Sequence, residues 1–242
     1  MKNQIKIMQK VISELQKLEN PGKIKILSSF FKTWKWQYGE WDKFLWIPVP
    51  QQRIIAKQYF QETSLKDFQE LIQNEYHEIR LTALLILCEK YKLCTKKKDS
   101  KWQKEIVDLY LKNTKYINNR DLVDLSCYNI LGHYLLDKNR DILYELVKST
   151  NIREQRISII STLIFIRKWD CIDWLKLSEI LLPHKHDLIH KAVWRTLREI
   201  WKKDKNLLID FLDTHCKEMS RTTLRYAIEK LDEETKHYYM KK

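Results

Sequence analysis

Glycine is almost absent from this chain, which has three glycines among 242 residues. Average usage of about 7% would place roughly 17 glycines in a chain of this length. Tight hairpins, dinucleotide-binding turns and phosphate-binding loops require glycine at fixed points, because other residues rarely adopt the backbone conformations they need. Only four prolines are present as well. The scarcity of both residues argues against those architectures and favours helices joined by short polar turns.

Apolar residues recur with helical spacing along nearly the whole chain. Positions i, i+3, i+4 and i+7 are apolar in segment after segment, which is the pattern of an amphipathic helix. The pattern predicts helices over residues 3–18, 22–33, 50–60, 64–73, 76–93, 100–115, 120–136, 139–149, 152–168, 171–182, 187–202, 205–215 and 219–230. The least regular stretch, 34–49, is predicted to be a long loop. We therefore expect an all-α protein with no sheet.

Similar segments recur along the chain and indicate an internal repeat. Four of them have a basic residue just before a helical apolar run and a fifth has an aspartate there; in chain order these are Arg80, Asp121, Arg156, Lys191 and Arg221. Their intervals of 41, 35, 35 and 30 residues are close to a HEAT-type unit of about 40. Stacked helix pairs form a curved superhelix. We expect one C-shaped HEAT-like domain over residues 1–242, with these side chains in a ladder on its concave face.

The chain is strongly basic, with 45 lysines and arginines against 32 acidic residues and a formal net charge of +13. A basic stripe attracts polyanions, because binding to phosphates releases counterions. A surface that only keeps the protein soluble would have the same charge, and a solvated helix face would produce the same ladder.

No run of 18 apolar residues exists, so no membrane span is expected. The five scattered cysteines are expected to be reduced core thiols of a cytoplasmic protein.

Two carboxylates, Asp121 and Asp124, interrupt the basic pattern in the central repeat. They lie three residues apart and therefore share one face of a helix. Asp121 falls in a first turn, where a carboxylate stabilises free backbone N–H groups. Asp124 lies one turn deeper and is not needed as a cap. Because phosphates repel a carboxylate on a DNA-binding surface, its presence there needs a reason, and stabilising a developing cation is one.

Several motifs resemble those of the AlkD-like DNA alkylation repair proteins. They are NNxDLVDLSxYxILG over residues 118–132, Glu154–Arg156, Asp187–Val193, a segment between Phe31 and Pro50, and Arg221–Ala227. Each motif is weak alone, but their order along the chain is specific. The resemblance implies a HEAT-like superhelix that removes purines alkylated at N3 or N7 from duplex DNA. It also implies that the base is not drawn into a pocket and that no metal or cofactor is used, and we expect a monomer.

The resemblance further implies roles for single residues. Asp124 matches the family's catalytic aspartate, which stabilises a cationic sugar and positions a water, and Arg156 matches the arginine that holds a phosphate. Lys191, Arg80 and Arg221 are expected to add contacts to the DNA backbone, and Arg120 and Arg195 are expected to bind DNA as well. Two alternatives remain open: a non-catalytic HEAT-repeat protein that binds damaged or branched DNA, and a protein scaffold whose charge is incidental.

The chain departs from the family pattern in two ways. The family's two tryptophans that pack on the deoxyribose match Arg120 and Arg195, which have no aromatic face for a cation. Seven tryptophans stand where the family usually has glycine: Trp34, Trp36, Trp41, Trp46, Trp169, Trp194 and Trp201. One hypothesis explains both departures, namely a gene translated with the wrong genetic code. UGA codons for glycine would then be rendered as tryptophan, and CGG or CGA codons for tryptophan as arginine. The alternatives are a diverged, correctly translated chain and an inactive DNA-binding paralogue.

Overall fold

The structure is a computed structural model that describes residues 6–20, 22 and 42–241. Throughout these ranges the regular elements are helices, apart from one isolated β-bridge between Lys43 and Tyr76. The prediction of an all-α protein is confirmed. The predicted helix over 22–33 lies outside the described residues, except for Gly22.

Residues Met1–Ile130 form one compact unit, and Leu131–Lys242 form a second. The described helices of the first unit are α1 (Ile7–Gln16), α2 (Val49–Tyr59), α3 (Leu65–Ile72), α4 (His77–Lys97), α5 (Ser100–Lys112) and α6 (Arg120–Cys127). Helix α4 is central to this unit and contacts α2, α3, α5 and α6. Its first twelve residues are all buried, because neighbours cover it on every side.

The second unit is built around one long helix in the same way. Its helices are α7 (Asp141–Val147), α8 (Ile152–Ser161), α9 (Leu163–Arg167), α10 (Ile172–Leu181), α11 (Asp187–Lys203), α12 (Lys205–His215), α13 (Arg221–Ala227) and α14 (Glu233–Lys241). Helix α11 contacts α8, α9, α10, α12 and α13. At its core the Trp174 ring is fully buried, and the ring nitrogen donates to Thr196 Oγ1 at 2.9 Å.

Helices of successive repeats contact one another within each unit, as in a solenoid. In the first unit α4 contacts α6, and in the second unit α8 contacts α11, which contacts α13. The N-caps of α6, α8, α11 and α13 are Asn119, Asn151, His186 and Ser220, at intervals of 32, 35 and 34 residues. The predicted solenoid-like class is confirmed. A single domain over 1–242 stays a prediction, since a continuous stack of repeats can also be divided into two compact halves.

Two predicted helices contain an irregular turn, although the helical conformation reaches Asp137 in the first and Arg167 in the second. The α-helix that begins at Arg120 ends at Cys127 and continues as a π-helical turn, Tyr128–Gly132. A Cβ on Gly132 would lie 2.5 Å from the carbonyl oxygen of Ser161, so the backbone can approach there only because the residue is glycine. The helix predicted over 152–168 is interrupted at Thr162, whose hydroxyl donates to a carbonyl three residues earlier at 2.7 Å.

The cysteines match the expectation of core thiols. All five are free, four are buried, and Cys171 is half-buried. Burial raises the pKa of Cys88 to about 12, so this thiol is a weak nucleophile at neutral pH. In the part of the chain that the structure describes, no helix is both long enough and apolar enough to cross a membrane.

Candidate functional site

Helix α6, which carries both central carboxylates, begins with a well-bonded first turn. The side-chain oxygen of Asn119 accepts the N–H of Arg120 at 2.7 Å, and Asp121 Oδ1 accepts the N–H of Leu122 at 2.9 Å. These bonds satisfy donors that a helix start otherwise leaves free. Asp121 therefore has the structural role expected of a first-turn carboxylate. Arg120 is half-buried at the first helical position, where its charge opposes the helix dipole.

Asp124 is recessed in the first unit, with 7% of its surface exposed. The charge of Asp124 affects the buried phenol of Tyr110. Burial raises the pKa of Tyr110 well above its usual value, and Asp124 is one of the neighbours that raise it further. The Tyr110 hydroxyl lies 3.1 Å from Ser126 Oγ. A recessed carboxylate acts through a lower dielectric than a solvated one, so its field on a nearby cation is stronger.

Four charged side chains meet beside the start of α6. Asp42 Oδ1 accepts hydrogen bonds from Arg80 Nη2 and from the amide of Asn118, both at 2.7 Å. The His77 ring lies between two carboxylates, with Nε2 2.8 Å from Asp121 Oδ2 and Nδ1 3.5 Å from Asp42 Oδ2. We refer to Asp42, His77, Arg80 and Asp121 as the buried charge cluster.

The protonation of the buried charge cluster follows from its geometry. Burial alone would lower the pKa of His77, but the Asp121 and Asp42 carboxylates outweigh it and raise this pKa to about 9. Burial would raise the pKa of Asp42, but its 3.5 Å contact with His77 and the charge of Arg80 bring this pKa below its ordinary value. Both shifts favour the charged forms. The cluster is therefore electrically balanced, with two cations and two anions, only while His77 is protonated.

Arg80 lies inside the first unit, with 5% of its surface exposed. Besides its bond to Asp42, its Nη1 donates to the carbonyls of Asn74 at 2.8 Å and Glu75 at 3.0 Å. These donors point into the protein. This placement does not support the predicted contact between Arg80 and a DNA backbone, and it gives Arg80 a structural role instead.

Arg156 is also buried, with 2% of its surface exposed. Its Nη1 donates to the carbonyl of Leu188 in the first turn of α11. In this structure the guanidinium ties α8 to α11. The phosphate contact that the family resemblance implies for Arg156 stays a prediction.

The other predicted basic residues are nearer to solvent. Arg221 is exposed at the start of α13, and Arg120, Lys191 and Arg195 are half-buried. Lys191 Nζ lies 2.8 Å from Asp187 Oδ2, and both side chains are partly solvated. Such an i,i+4 pair contributes about 0.3–0.5 kcal/mol. Lys191 can therefore exchange its carboxylate partner for a phosphate at little cost.

The N-caps give a sharper repeat register than the apolar pattern. At the fifth position after the N-cap, α6, α8, α11 and α13 have Asp124, Arg156, Lys191 and Arg225. In the central repeat Asp124, and not Asp121, therefore stands in register with the basic residues. Arg221 comes one position after its cap and is out of register. The apolar pattern missed the exposed Arg225, which cap spacing finds.

Backbone conformation bears on the tryptophans at the family's glycine positions. Of the residues described, the non-glycine ones with positive φ are Trp46 at 62°, Lys98 at 56° and Trp169 at 65°. The left-handed region costs an ordinary residue roughly 1–2 kcal/mol, whereas glycine adopts it freely. At Trp46 and Trp169 the backbone therefore favours glycine, which supports the wrong-code hypothesis at these two positions.

The remaining suspect tryptophans add no such support. Trp194 and Trp201 both lie within the regular helix α11, where glycine would cost about 1 kcal/mol relative to alanine. The ring of Trp194 packs on Tyr226, with centroids 4.6 Å apart. The other three, Trp34, Trp36 and Trp41, lie outside the described residues.

The chemistry that α6 can supply is that of a recessed carboxylate. A negative charge held in a low dielectric stabilises a positive charge that develops nearby. Across residues 6–20, 22 and 42–241, no group of three His, Cys, Asp or Glu side chains is arranged to hold a metal ion.

Comparisons with known proteins agree with the family that the motifs resemble. A solved structure described as a predicted DNA alkylation repair enzyme from Enterococcus faecalis has the same fold, with a TM-score of 0.61 and 15% sequence identity. The similarity covers 89% of this chain and 97% of that chain. No curated protein matches this chain. The family model for DNA alkylation repair enzymes matches residues 11–231, so the chain belongs to the DNA alkylation repair enzyme family.

Proposed function

We propose that this protein is a DNA N-glycosylase that removes positively charged N3- or N7-alkylated purines from duplex DNA without flipping the base. Its family supplies the reaction class, DNA alkylation repair. The observation that carries the proposal is the position of Asp124, a carboxylate at a register position that is basic in α8, α11 and α13. An anion in an otherwise cationic series suits a reaction whose transition state is cationic.

The proposed chemistry needs little beyond charge and position. Alkylation at N3 or N7 gives the purine a formal positive charge, which weakens its glycosidic bond. When the C1′–N bond breaks, its electron pair goes to the base, which leaves as a neutral molecule, and the sugar becomes oxocarbenium-like. Asp124 stabilises this cation and orients a water, whose oxygen bonds to C1′ as a proton is released. No electrons are exchanged with a second reactant.

The grip on duplex DNA is proposed to come from basic residues near solvent. Lys191, Arg221 and Arg225 have the exposure needed to meet phosphates, and Arg156 supports them by holding the first turn of α11. Contacts to phosphates carry no base information, so binding should be independent of sequence. It should also weaken steeply as salt is added, because each neutralised phosphate releases counterions.

Asp124→Asn tests the catalytic claim, because it keeps the side-chain shape and removes the charge. It is made in a parent chain that carries Arg120→Trp, Arg195→Trp and glycine at the seven suspect tryptophans. Release of 7-methylguanine from methylated duplex DNA should fall by about 100-fold or more, the scale of losing one electrostatic stabiliser. Binding to duplex DNA should be unchanged or tighter. Asp108→Asn, which removes an exposed charge from α5, is the matched control and should leave base release unchanged. Equal rates for Asp124→Asn and the parent chain would contradict the proposal.

The arginines at the two tryptophan positions require a second comparison. The chain as it stands, with Arg120 and Arg195, should be nearly inert, since neither residue offers an aromatic face to a cationic sugar. Arg120→Trp together with Arg195→Trp, and glycine at the seven suspect tryptophans, should restore base release. If the restored chain binds DNA and releases no base, the second candidate is favoured, namely a non-catalytic HEAT-repeat protein that binds damaged DNA.

A further inference from the structure

The segment 42–47 is bound to the start of α4 through its backbone. The N–H of His77 donates to the carbonyl of Lys43 at 2.7 Å. The carboxylate of Glu78, which is 3% exposed, accepts two successive N–H groups of the segment at 2.9 and 2.7 Å. Two neighbouring residues of α4 therefore hold this segment in place.

The start of α6 is tied to the same cluster at two points. Asp121 uses one carboxylate oxygen for an N–H of the first turn and the other for His77, at 2.9 and 2.8 Å. Asp42 Oδ2 accepts the side-chain amide of Asn119, the N-cap residue, at 3.4 Å. The two residues that cap the start of α6 are therefore both bonded within the buried charge cluster, Asn119 to Asp42 and Asp121 to His77.

His77 lies at the centre of these contacts. It is 1% exposed, and its ring stacks on Phe44 with centroids 4.9 Å apart. The charged groups facing it are Asp42 and Asp121, with Arg80 bonded to Asp42, while Glu78 directs its carboxylate to the 42–47 backbone. With an imidazolium the buried charge cluster is neutral. With a neutral imidazole it keeps an uncompensated negative charge in a site where the Asp42 side chain is 4% exposed and that of Asp121 21% exposed, which is unfavourable.

We infer that His77 is a positioning residue that, as an imidazolium, joins Asp42 to Asp121 and thereby fixes the start of α6. Asp124 lies one turn further along that helix, so its direction depends on how the helix start is held. The link to catalysis rests on the proposed function, whereas the link between His77 and α6 does not.

NMR spectroscopy of the unchanged protein tests the charge of His77 without any variant. The ring protons are followed from about pH 6 to about pH 10. They should titrate near pH 9, the value to which the two carboxylates raise the pKa of His77, and the amides of the first turn of α6 should shift with them. A His77 ring that is already neutral at pH 7 would overturn the inference.

Hydrogen exchange in His77→Gln tests the hold on α6. Glutamine keeps a polar group but removes the charge, so the amides at positions 122–124 and in segment 42–47 should exchange faster by about tenfold or more. His215→Gln is the matched control. That imidazole lies 3.5 Å from Glu179 and from Glu218 and packs on Phe211 in the second unit, and its loss should leave exchange in α6 unchanged. Unaltered exchange in His77→Gln would overturn the inference whatever the activity.

Base release separates this inference from the proposed function. In an active chain the rate should fall as pH rises through about 9, and His77→Gln should lower the neutral-pH rate about tenfold without that alkaline step and without weaker DNA binding. Faster exchange in α6 with an unchanged rate would overturn the positioning role. If exchange changes as expected and neither chain releases base, the proposed function fails and the hold of His77 on α6 stands.

Discussion

The starts of α6 and α8 share a cap motif and are held in different ways. Each follows an asparagine whose side-chain oxygen accepts an N–H of the first turn. At α8 two of the supporting bonds are local: Ser149 donates to Glu154 Oε2 at 2.5 Å, and the Gln155 amide donates to the Ser149 carbonyl at 2.8 Å. At α6 the cap residues bond to the buried charge cluster. The start of α6 therefore depends on charges that are distant along the chain and on their protonation.

The two buried arginines show the same difference. Arg80 is paired with the Asp42 carboxylate, and Arg156 donates to the neutral carbonyl of Leu188. Removing Arg80 leaves an uncompensated charge on its buried carboxylate partner, whereas the bond from Arg156 to the Leu188 carbonyl has a neutral acceptor. The same residue type, placed before an apolar run in both cases, therefore has different bonding partners in the fold.

Arg80→Ala should give the largest loss of stability. The free energy of unfolding should fall by about 3–5 kcal/mol, because Asp42 keeps a buried charge with one cationic partner fewer. Urea unfolding measures this loss. Arg167→Ala, at a partly exposed arginine, is the control and should change stability by under about 0.5 kcal/mol. Equal costs for Arg80→Ala and Arg167→Ala would contradict the argument from burial.

Alkaline pH should destabilise the protein through His77. Its pKa is about 9 in the folded chain and near 6.5 when unfolded, so its contribution is complete below about pH 6.5 and is lost as pH rises through about 9. The loss should reach roughly 3 kcal/mol at most. Urea midpoints at both ends of this window measure it. In His77→Gln the decline should be absent; a variant that declines as steeply as the parent would place the titration elsewhere.

The Asn119 and Asn151 caps should contribute similar amounts to the free energy of unfolding, but only Asn119 should be energetically coupled to His77. Asn119→Ala and Asn151→Ala should each cost about 1 kcal/mol, the usual value of a side-chain N-cap. In double-mutant cycles with His77→Gln, Asn119 should show an interaction energy above about 0.5 kcal/mol, and Asn151 should be additive. Stability of the three single and two double variants is measured at pH 7. Additivity at Asn119 would show that its cap is as local as that of Asn151.

The smallest effect concerns Trp169, one of the two tryptophans with positive φ. Trp169 is 65% exposed, and Lys203 Nζ lies 5.3 Å from the centroid of its ring. Removing the ring therefore loses little packing. Trp169→Gly should raise stability by about 0.5–1 kcal/mol, since relief of the left-handed backbone exceeds the added entropy of the unfolded chain. Trp46 is buried and stacks on Phe44 at 4.8 Å, so Trp46→Gly should destabilise the chain as it stands. Thermal unfolding measures both, and a destabilised Trp169→Gly would remove the argument from backbone conformation.

Much of the helical architecture could be predicted, since periodicity and capping are local. The predicted helix over 205–215 is observed with the same bounds, and the central motif correctly begins a helix at Arg120. The π-helical turn inside that predicted helix was not predictable, because Gly132, the last residue of the turn, closely approaches Ser161, which is distant along the chain. The prediction of the ladder of side chains was incomplete for a related reason, since its register depends on where the helices begin. Apolar periodicity placed Asp121 among its members, and only the observed N-caps brought Asp124 into register.

The sequence by itself determined the fold class, the basic character and the motif order that marks the family, because these follow from composition and from neighbours along the chain. Only the tertiary structure decided which charges are buried. Arg80 and Arg156 are arginines before apolar runs, like many solvated ones, and they lie inside because neighbouring helices close over them. The buried charge cluster was invisible for the same reason: Asp42 and Asp121 stand far apart in sequence, and only folding brings both to His77. Electrostatic energy depends on distance and burial, and neither can be read from residue order.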